Sequence, residues 1–209
     1  MRMRRKRKLT DRIERCGHLL ITKPEELRGF WIETFCFSEL HLELGCGKGL
    51  FTINTAKSMP DILLVALEKI DNVMVIALER TEQEKLQNIR YINRLAENLT
   101  DFFAENEVSR IYINFCDPWP ANRHKKRRLT WLSFLESYKK VLRPGGEIHF
   151  KTDNLPLFEF SLNEFECCGF TLNEVTYNLH ENGAVGEMTD YETKFHESGM
   201  PIYRLVARS

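Results

Sequence analysis

The stretch Glu39-Leu40-His41-Leu42-Glu43-Leu44-Gly45-Cys46-Gly47-Lys48-Gly49 decides the fold of this chain. Residues 39–44 predict a β-strand, and the three glycines after them predict a tight turn into a helix over residues 50–58. Because glycine has no Cβ, the backbone of such a turn can lie close to a bound nucleoside. The spacing Gly-x-Gly-x-Gly differs by one residue from the dinucleotide fingerprint Gly-x-Gly-x-x-Gly, so by itself the turn is a weak indication of a cofactor.

Two acidic residues make the cofactor prediction more specific. Glu43 lies at the end of the first strand, where its carboxylate can accept hydrogen bonds from an ammonium group. Glu68 follows the next predicted strand, at a position where a carboxylate can bind both hydroxyls of a ribose. An acid at Glu43 argues against the pyrophosphate of a dinucleotide and favours S-adenosylmethionine, which carries an ammonium group and a cationic sulfur. We therefore predict that Glu43, Gly45, Gly47 and Glu68 bind S-adenosylmethionine.

Apolar runs bounded by turn residues alternate with amphipathic segments along the rest of the chain. Strands are expected over residues 39–44, 62–67, 89–93, 111–115 and 147–151. Helices are expected over residues 50–58, 71–86, 131–142 and 155–167, the third with Thr130 as its N-cap. This alternation predicts an α/β fold with a doubly wound, mostly parallel sheet that binds ligands at the carboxyl ends of its strands. Two further strands, over 170–178 and 202–207, are separated by a polar loop over 180–200 without a helix, so we expect an antiparallel edge there.

The chain has 209 residues, with 30 basic and 30 acidic side chains, and the distribution of charge is uneven. Residues 1–15 contain eight Lys or Arg and two acids, while residues 123–128 contain five Lys or Arg and no acid. Such separated patches favour a polyanionic partner over a generally basic surface, although a solvated tail and a charged loop would give the same pattern. We predict a basic N-terminal arm and lead-in over residues 1–37 and one domain over residues 38–209.

The cysteines and the hydropathy disfavour a disulfide-bonded, zinc-binding or membrane-spanning protein. None of the six cysteines forms a Cys-x-x-Cys pair, so neither a zinc site nor a disulfide framework is indicated. No apolar run approaches the length that crosses a bilayer, and the basic start has no apolar segment behind it. Asp11 and Glu14 interrupt it early, which disfavours a mitochondrial presequence. We expect a cytoplasmic protein with no metal and no membrane partner, and the sequence leaves open whether it is a monomer or a dimer.

The fourth strand is followed by the turn Asp117-Pro118-Trp119-Pro120 and then by Arg123-His124-Lys125-Lys126-Arg127-Arg128. The prolines restrict the turn, which therefore holds an acid and an aromatic ring at the edge of the sheet where the cofactor is expected. The cations that follow can contact several phosphates. A capped turn with a core tryptophan and a solvated charged loop is the alternative. Together with the glycine turn, the pattern indicates methyl transfer to an RNA base.

Four motifs in order resemble the bacterial tRNA (guanine-N7)-methyltransferases: the Glu-x-Gly-x-Gly turn, Asp117 to Leu129, His149-Phe150-Lys151-Thr152-Asp153-Asn154, and Thr189-Asp190-Tyr191-Glu192. The resemblance extends from about residue 38 to the C-terminus. It implies a Rossmann-like fold, S-adenosylmethionine as the cofactor, and N7-methylguanosine in the variable loop of tRNA as the product. Carried over to this chain, it implies that Glu43 and Glu68 bind the cofactor and that Asp117 lies in the active site between cofactor and guanine. It further implies that Asp153, Thr189, Asp190, Tyr191 and Glu192 line the substrate pocket.

The chain departs from this family at two positions. Leu95 occupies a cofactor-binding position that is often acidic in the family, so contact with adenine is left to the backbone, to Glu97 or to Asn93. Ala121 stands where the family has a substrate-binding lysine, and Arg123 and Lys125 are near enough in sequence to replace it.

The nucleophile determines the expected mechanism. N7 of guanine has an in-plane lone pair at neutral pH, so the enzyme can act mainly by aligning N7 with the methyl group. A carboxylate near the base stabilises the cationic purine that develops, and Asp117 is the first candidate for this role. Asp153 is the second, either on the Watson–Crick edge of guanine or orienting Lys151.

Two alternatives remain at this stage. Asn114 to Trp119 distantly resembles the Asp/Asn-Pro-Pro-Tyr/Trp turn of methyltransferases that act on exocyclic amines such as adenine N6, although a single proline separates Asp117 from Trp119. A non-catalytic RNA-binding module would keep the basic patches without needing Glu43 and Glu68. A nicotinamide oxidoreductase is disfavoured because its glycine spacing is missing.

Overall fold

The computed structural model describes residues 7–209, so residues 1–6 of the predicted basic arm lie outside the described residues. Its centre is a seven-stranded sheet with the order β3-β2-β1-β4-β5-β7-β6. The strands are β1 (Glu39–Leu44), β2 (Ile62–Leu67), β3 (Ile89–Ile92), β4 (Val108–Asn114), β5 (Leu142–Thr152), β6 (Thr171–Thr176) and β7 (Tyr203–Arg208). The first five strands are parallel, while β7 is antiparallel to both β5 and β6. This confirms the predicted doubly wound fold with an antiparallel C-terminal edge.

Helices cover both faces of the sheet. The six apolar residues of β2 are buried on both faces, whereas β1 alternates leucines on one face with Glu39, His41 and Glu43 on the other. They are α1 (Leu9–Arg15), α2 (Trp31–Phe35), α3 (Leu50–Ser58), α4 (Asp71–Glu84), α5 (Leu99–Phe102), α6 (Leu132–Val141), α7 (Leu155–Cys167) and α8 (Asp190–Glu197). One core packs α5, α6 and α7 against one face, with Leu42 of β1 and Ile111 of β4 at 0% exposure. The other packs α3 and α4 against β2, whose six residues are all buried. No helix within residues 7–209 is long and apolar enough to cross a membrane.

Residues before β1 pack on the domain through contacts that the sequence did not predict. In α1, Nε of Arg12 donates to Oε1 of Glu79 on α4 at 2.7 Å. In α2, Trp31 is fully buried and its Nε1 donates to the carbonyl oxygen of Phe102 at 3.0 Å.

Three predicted details are wrong. Thr130 does not cap α6: it is fully buried and its hydroxyl accepts from Ser161, while Oε2 of Glu164 accepts the amide of Leu132 at the start of that helix. The segment predicted as a polar loop contains α8, which begins with a capping box in which the Thr189 hydroxyl accepts the amide of Glu192 and the Glu192 carboxylate accepts the amide of Thr189. The predicted second helix also ends earlier, at Glu84, because Lys85 adopts a left-handed conformation.

Candidate active site

The turn between β1 and α3 forms a cradle at the carboxyl edge of the sheet. Gly45, Gly47 and Gly49 have φ of +83°, +59° and +79°, which L side chains rarely adopt. A Cβ on Gly45 or Gly47 would meet no atom within 4 Å, whereas a Cβ on Gly49 would lie 2.7 Å from Cβ of Ala77. The first two glycines therefore face open space that a ligand can fill, and the third allows α3 to pack against α4.

Glu68 connects this turn to the end of β2. Its Oε2 accepts the amide of Gly47 at 3.2 Å and its Oε1 accepts the amide of Ile70 at 2.9 Å. Burial raises the pKa of the Glu68 carboxyl above its ordinary value. The carboxylate is thus fixed between two backbone amides at the edge of the cradle, where it can accept further hydrogen bonds.

A cavity of about 500 Å³ opens beside the cradle, and we call it the cofactor cavity. Its lining combines apolar side chains with a few acids and cations: Leu44, Gly45, Leu67, Glu68, Lys69, Ile70, Arg94, Leu95, Ala96, Glu97, Asn114, Phe115, Cys116, Asp117, Trp119, Arg127, Leu129 and Phe134. The open glycines, the fixed carboxylate and the apolar walls fit an adenosyl group.

The structure narrows the choice of partners for the adenine. Leu95 is half exposed and lines the cofactor cavity together with Glu97. Asn93 is instead used within the fold, since its Nδ2 donates to the carbonyl oxygen of Glu68 at 2.9 Å. Of the alternatives to an acid at position 95, Glu97 and the backbone lie at the cofactor cavity, while Asn93 is not part of its lining.

Glu43 lies behind the cavity lining rather than in it. Its side chain is 1% exposed, and the Thr52 hydroxyl donates to its Oε2 at 2.5 Å. Nδ2 of Asn114 donates to its Oε1 at 3.4 Å. Burial raises the pKa of Glu43 to about 7. In this conformation Glu43 supports Thr52 and Asn114, and its direct contact with an ammonium group stays a prediction.

The turn after β4 brings Asp117 to the cofactor cavity. Phe115 and Trp119 have φ of +51° and +42°, and the Arg128 guanidinium donates to the carbonyl oxygens of Pro118 and Trp119 at 3.0 and 3.1 Å. Within residues 7–209 the exposed Asp117 side chain makes no hydrogen bond and no ion pair. The turn therefore presents an uncompensated carboxylate at the mouth of the cavity.

The basic run after this turn forms a short 3₁₀ helix over Asn122–Arg127, preceded by Ala121. The guanidinium of Arg128 also lies 4.3 Å from the ring of Phe160, so this cation is engaged within the fold. The expected contact of the run with several phosphates stays a prediction. Nζ of Lys125 lies 4.9 Å from the ring of Trp131. Three basic residues of the run are exposed, and we call them the exposed cations: Arg123, Lys126 and Arg127. The guanidinium of Arg127 also lies 5.0 Å from the ring of Trp119 and lines the cofactor cavity.

The segment between β6 and β7 contains residues that were predicted to line the substrate pocket. The carboxylate of Asp190 accepts hydrogen bonds from the guanidinium of Arg80 on α4, the shortest at 2.9 Å. Tyr191 is 56% exposed, and its ring lies 5.9 Å from that of Phe115 beside Asp117. Asp153, which follows β5, is partly exposed. Tyr191 and Asp153 are thus accessible at this edge of the sheet.

Glu192 points inwards and is fully buried. Its Oε2 accepts from Nζ of Lys151 at 2.7 Å, and its Oε1 lies 2.9 Å from Nε2 of His180. Burial lowers the pKa of Lys151, and the Glu192 carboxylate opposes that shift. Glu192 therefore fastens α8 to β5 in this conformation. Sequence reasoning missed Arg80 and His180, since only the fold brings them to Asp190 and Glu192.

No group of metal-ligating side chains occurs in the described part of the chain.

The chain is similar to known methyltransferases in both sequence and structure. Residues 38–205 match a family model, Methyltransf_4, described as "Putative methyltransferase". Among solved structures, the chain is similar to the 16S rRNA methyltransferase KamB, with a TM-score of 0.64 and 19% identity over 85% of this chain and 91% of that one. It is also similar to the aminoglycoside resistance methyltransferase NpmB1 (TM-score 0.61, 16% identity, 90% and 94% covered). A third is a SAM-dependent methyltransferase from Aquifex aeolicus (TM-score 0.58, 15% identity, 97% and 99% covered). At these identities the structures support the fold alone.

Proposed function

Since the chain belongs to the family of tRNA (guanine-N7)-methyltransferases and is an S-adenosylmethionine-dependent methyltransferase, we propose that it methylates N7 of a guanosine in the variable loop of tRNA. The observation that carries this proposal is the unpaired carboxylate of Asp117 at the mouth of the cofactor cavity, flanked by Trp119 and the exposed cations. This arrangement suits a base that becomes positively charged when it is methylated, held in a nucleic acid.

The residues of the cradle hold the cofactor in this proposal. Gly45 and Gly47 leave room for it, Glu68 accepts hydrogen bonds from the ribose hydroxyls, and Leu95 packs against the adenine. The bound cofactor supplies an electrophilic methyl group on a cationic sulfur. Glu43 supports this wall of the site from behind through Thr52 and Asn114.

Asp117 acts on the reacting base in this proposal. N7 of guanine carries a lone pair at neutral pH, so no residue has to remove a proton before the methyl group is transferred. As the purine gains positive charge, the Asp117 carboxylate stabilises the transition state more than the ground state. The turn holds this carboxylate in place, because the Arg128 guanidinium donates to the backbone carbonyl oxygens of Pro118 and Trp119.

The surface around the cavity mouth binds the RNA in this proposal. The exposed cations contact phosphates beside Ala121, and Lys125 supports them from its position against Trp131. On the other side, Asp153 and the exposed Tyr191 form the wall of the substrate pocket in this proposal. Thr189, Asp190 and Glu192 support that wall through the capping box and the contacts with Arg80 and Lys151. We further propose that basic residues of the predicted arm over residues 1–37 contact tRNA together with the domain over residues 38–209. A cytoplasmic location, where tRNA is modified, accords with this function.

Nucleoside mass spectrometry of tRNA incubated with the protein and methyl-labelled S-adenosylmethionine tests the proposal. We expect labelled N7-methylguanosine in unmodified tRNA. The matched control is the same tRNA with 7-deazaguanosine at the acceptor position, which lacks the nucleophilic nitrogen and keeps the other edges of the base. Label in N6-methyladenosine would instead support the exocyclic-amine alternative, and binding of tRNA without label in any nucleoside would support an RNA-binding module.

A further inference from the structure

A second cavity of about 280 Å³ lies beside the cofactor cavity, between α3, the strands β4 and β5, and the segment before α8. We call it the inner cavity. Its lining is largely polar on the sheet side and mixed on the helix side: Phe51, Thr55, Ser58, Met59, Arg110, Tyr112, Asn114, His149, Lys151, Leu179, Val185, Gly186, Glu187 and Arg204. Asn114, the last residue of β4, lines both cavities. A group bound in the inner cavity is therefore separated from the cofactor by no more than one side chain.

Two buried oxygen atoms in the lining of this cavity have no hydrogen-bond partner among the described residues: Oδ1 of Asn114 and Oγ1 of Thr55. Asn114 is 6% exposed and Thr55 is 2% exposed. Buried polar atoms in folded proteins are nearly always paired, so each such atom calls for a partner that the protein itself does not supply. The Asn114 amide is oriented, because its Nδ2 donates to Glu43 and leaves the carbonyl oxygen as the free acceptor.

Lys151 places a donor directly beside this acceptor. Asn114 and Lys151 are register partners in the parallel pair of β4 and β5, so their side chains leave the same face of the sheet on neighbouring strands. The Lys151 ammonium has three N–H groups. One donates to Oε2 of Glu192 at 2.7 Å and one to the carbonyl oxygen of Glu187 at 2.9 Å. The third makes no hydrogen bond to the described residues, and Nζ lies 5.2 Å from the ring of Phe51 in the cavity wall, so this N–H can donate to a ligand. The inner cavity thus offers one donor and one acceptor side by side.

This pair matches the edge of guanine at which the acceptor O6 adjoins the donor N1–H. Adenine and 2,6-diaminopurine present the reverse order, a donor amine beside the acceptor N1. We infer that Asn114 and Lys151 select the target base: Lys151 donates to O6 and Asn114 accepts N1–H, while N7 faces the cofactor cavity. The inference rests on the proposed function and deepens it by naming the residues that distinguish guanine from other purines. It also explains why Glu43, which orients Asn114, is buried behind the cavity.

The test measures kcat/KM on tRNAs that carry guanosine, inosine or 2,6-diaminopurine at the acceptor position. All three bases have N7, but inosine keeps O6 and N1–H, while 2,6-diaminopurine reverses them. For the parent we expect inosine to react within about threefold of guanosine and 2,6-diaminopurine to react about a hundredfold more slowly. Asn114→Ala should reduce the preference for guanosine over 2,6-diaminopurine at least about tenfold. The affinity for S-adenosylmethionine is measured in parallel, because Asn114 also lines the cofactor cavity.

Asn88→Ala is the matched control, because Asn88 is also 6% exposed but donates to the carbonyl oxygen of Ala56 within the fold. It should lower stability without changing the preference between bases. A preference that Asn114→Ala leaves unchanged would overturn the inference, whether the rates fall equally or not at all. A weakened affinity of Asn114→Ala for S-adenosylmethionine with the preference intact would assign the carbonyl oxygen to the cofactor instead. Absence of N7-methylguanosine with the parent enzyme would refute the proposed function itself.

Discussion

Replacing Gly49 by alanine tests whether this glycine is required for packing α3 against α4. At Gly49 this packing role can be measured separately from cofactor binding. The new Cβ would lie 2.7 Å from Cβ and 3.1 Å from Cα of Ala77, well inside contact distance. The backbone of Gly49 also has φ of +79°. A left-handed alanine costs about 1–2 kcal/mol, and overpacking between two helices costs about 1–3 kcal/mol more. We expect Gly49→Ala to lose about 2–5 kcal/mol of unfolding free energy.

Gly47→Ala is the matched control, because Gly47 shares the positive φ but has no atom within 4 Å of the new Cβ. It should lose only about 1–2 kcal/mol of stability. Its Cβ enters the space where the cofactor is expected, so the affinity for S-adenosylmethionine should fall about tenfold or more. Urea denaturation gives the stabilities and calorimetry gives the affinities. Equal destabilisation by the two substitutions would refute the packing role of Gly49, and unchanged affinity in Gly47→Ala would remove this turn from the cofactor site.

Four further predictions concern the charges of the site. Glu68→Gln should bind S-adenosylmethionine about tenfold more weakly by calorimetry, because hydrogen bonds to a charged acceptor contribute about 1.5–3 kcal/mol; parental affinity would argue against the ribose contact. Alanine at Arg123 and Lys126, the two exposed cations outside the cofactor cavity, should reduce the slope of log K for tRNA against log salt by about two. Cofactor affinity should stay unchanged, and an unaltered slope would mean that these side chains do not reach phosphates. Asp117→Asn should lower the single-turnover methylation rate about tenfold to a hundredfold while both ligands still bind. Asp117 is exposed, so its carboxylate acts on the purine charge at about 5 Å through an effective dielectric constant of about 20 or more. A parental rate would remove Asp117 from catalysis. Burial raises the pKa of Glu43 from 4.5 to about 7, so the folded state binds the additional proton and stability from this group falls as the pH rises through that window. Glu43→Gln should therefore be more stable than the parent at pH 8 by up to about 3 kcal/mol and lose this advantage near pH 4.5, as measured by urea denaturation at both pH values; an equal difference at both would contradict the assignment.

Local sequence patterns predicted the parallel part of the sheet because each element there is defined by its own residues. The bounds of β1, α3, β2 and α7 agree with the sequence prediction residue by residue. In each case an apolar run ends at glycine, proline or polar residues that neighbouring segments do not override. The alternation of strands and helices then favours a parallel sheet covered by helices on both faces.

Elements that depend on distant partners could not be predicted in the same way. Helix α8 has a capping box in its sequence, but Glu192 is buried only because Lys151, 41 residues earlier, supplies the opposite charge. Arg128 belongs to a basic run whose spacing favours phosphate contacts, yet the fold directs its guanidinium to the carbonyl oxygens of the Asp117 turn. Short segments of this kind acquire their structure from tertiary contacts rather than from local propensity.

The candidate site shows the same division. Glu68 and Asp117 were predicted from their positions after strands, and both line the cofactor cavity. Asn114 was missed as a site residue because its importance follows from the strand register, which places it between Glu43 and Lys151 on one face of the sheet. The alternation of side chains along β4 could have indicated this face, but only once the neighbouring strands were known.

The most direct test of the central claim is chain cleavage at the methylated nucleotide. The positively charged ring of N7-methylguanosine is sensitised by reduction, after which aniline cleaves the RNA chain at that position. tRNA treated with the protein and S-adenosylmethionine should be cut once, at a guanosine of the variable loop, and the cut should disappear when that guanosine is replaced by 7-deazaguanosine. A labelled tRNA that remains uncut, or one that is cut outside the variable loop, would contradict the account.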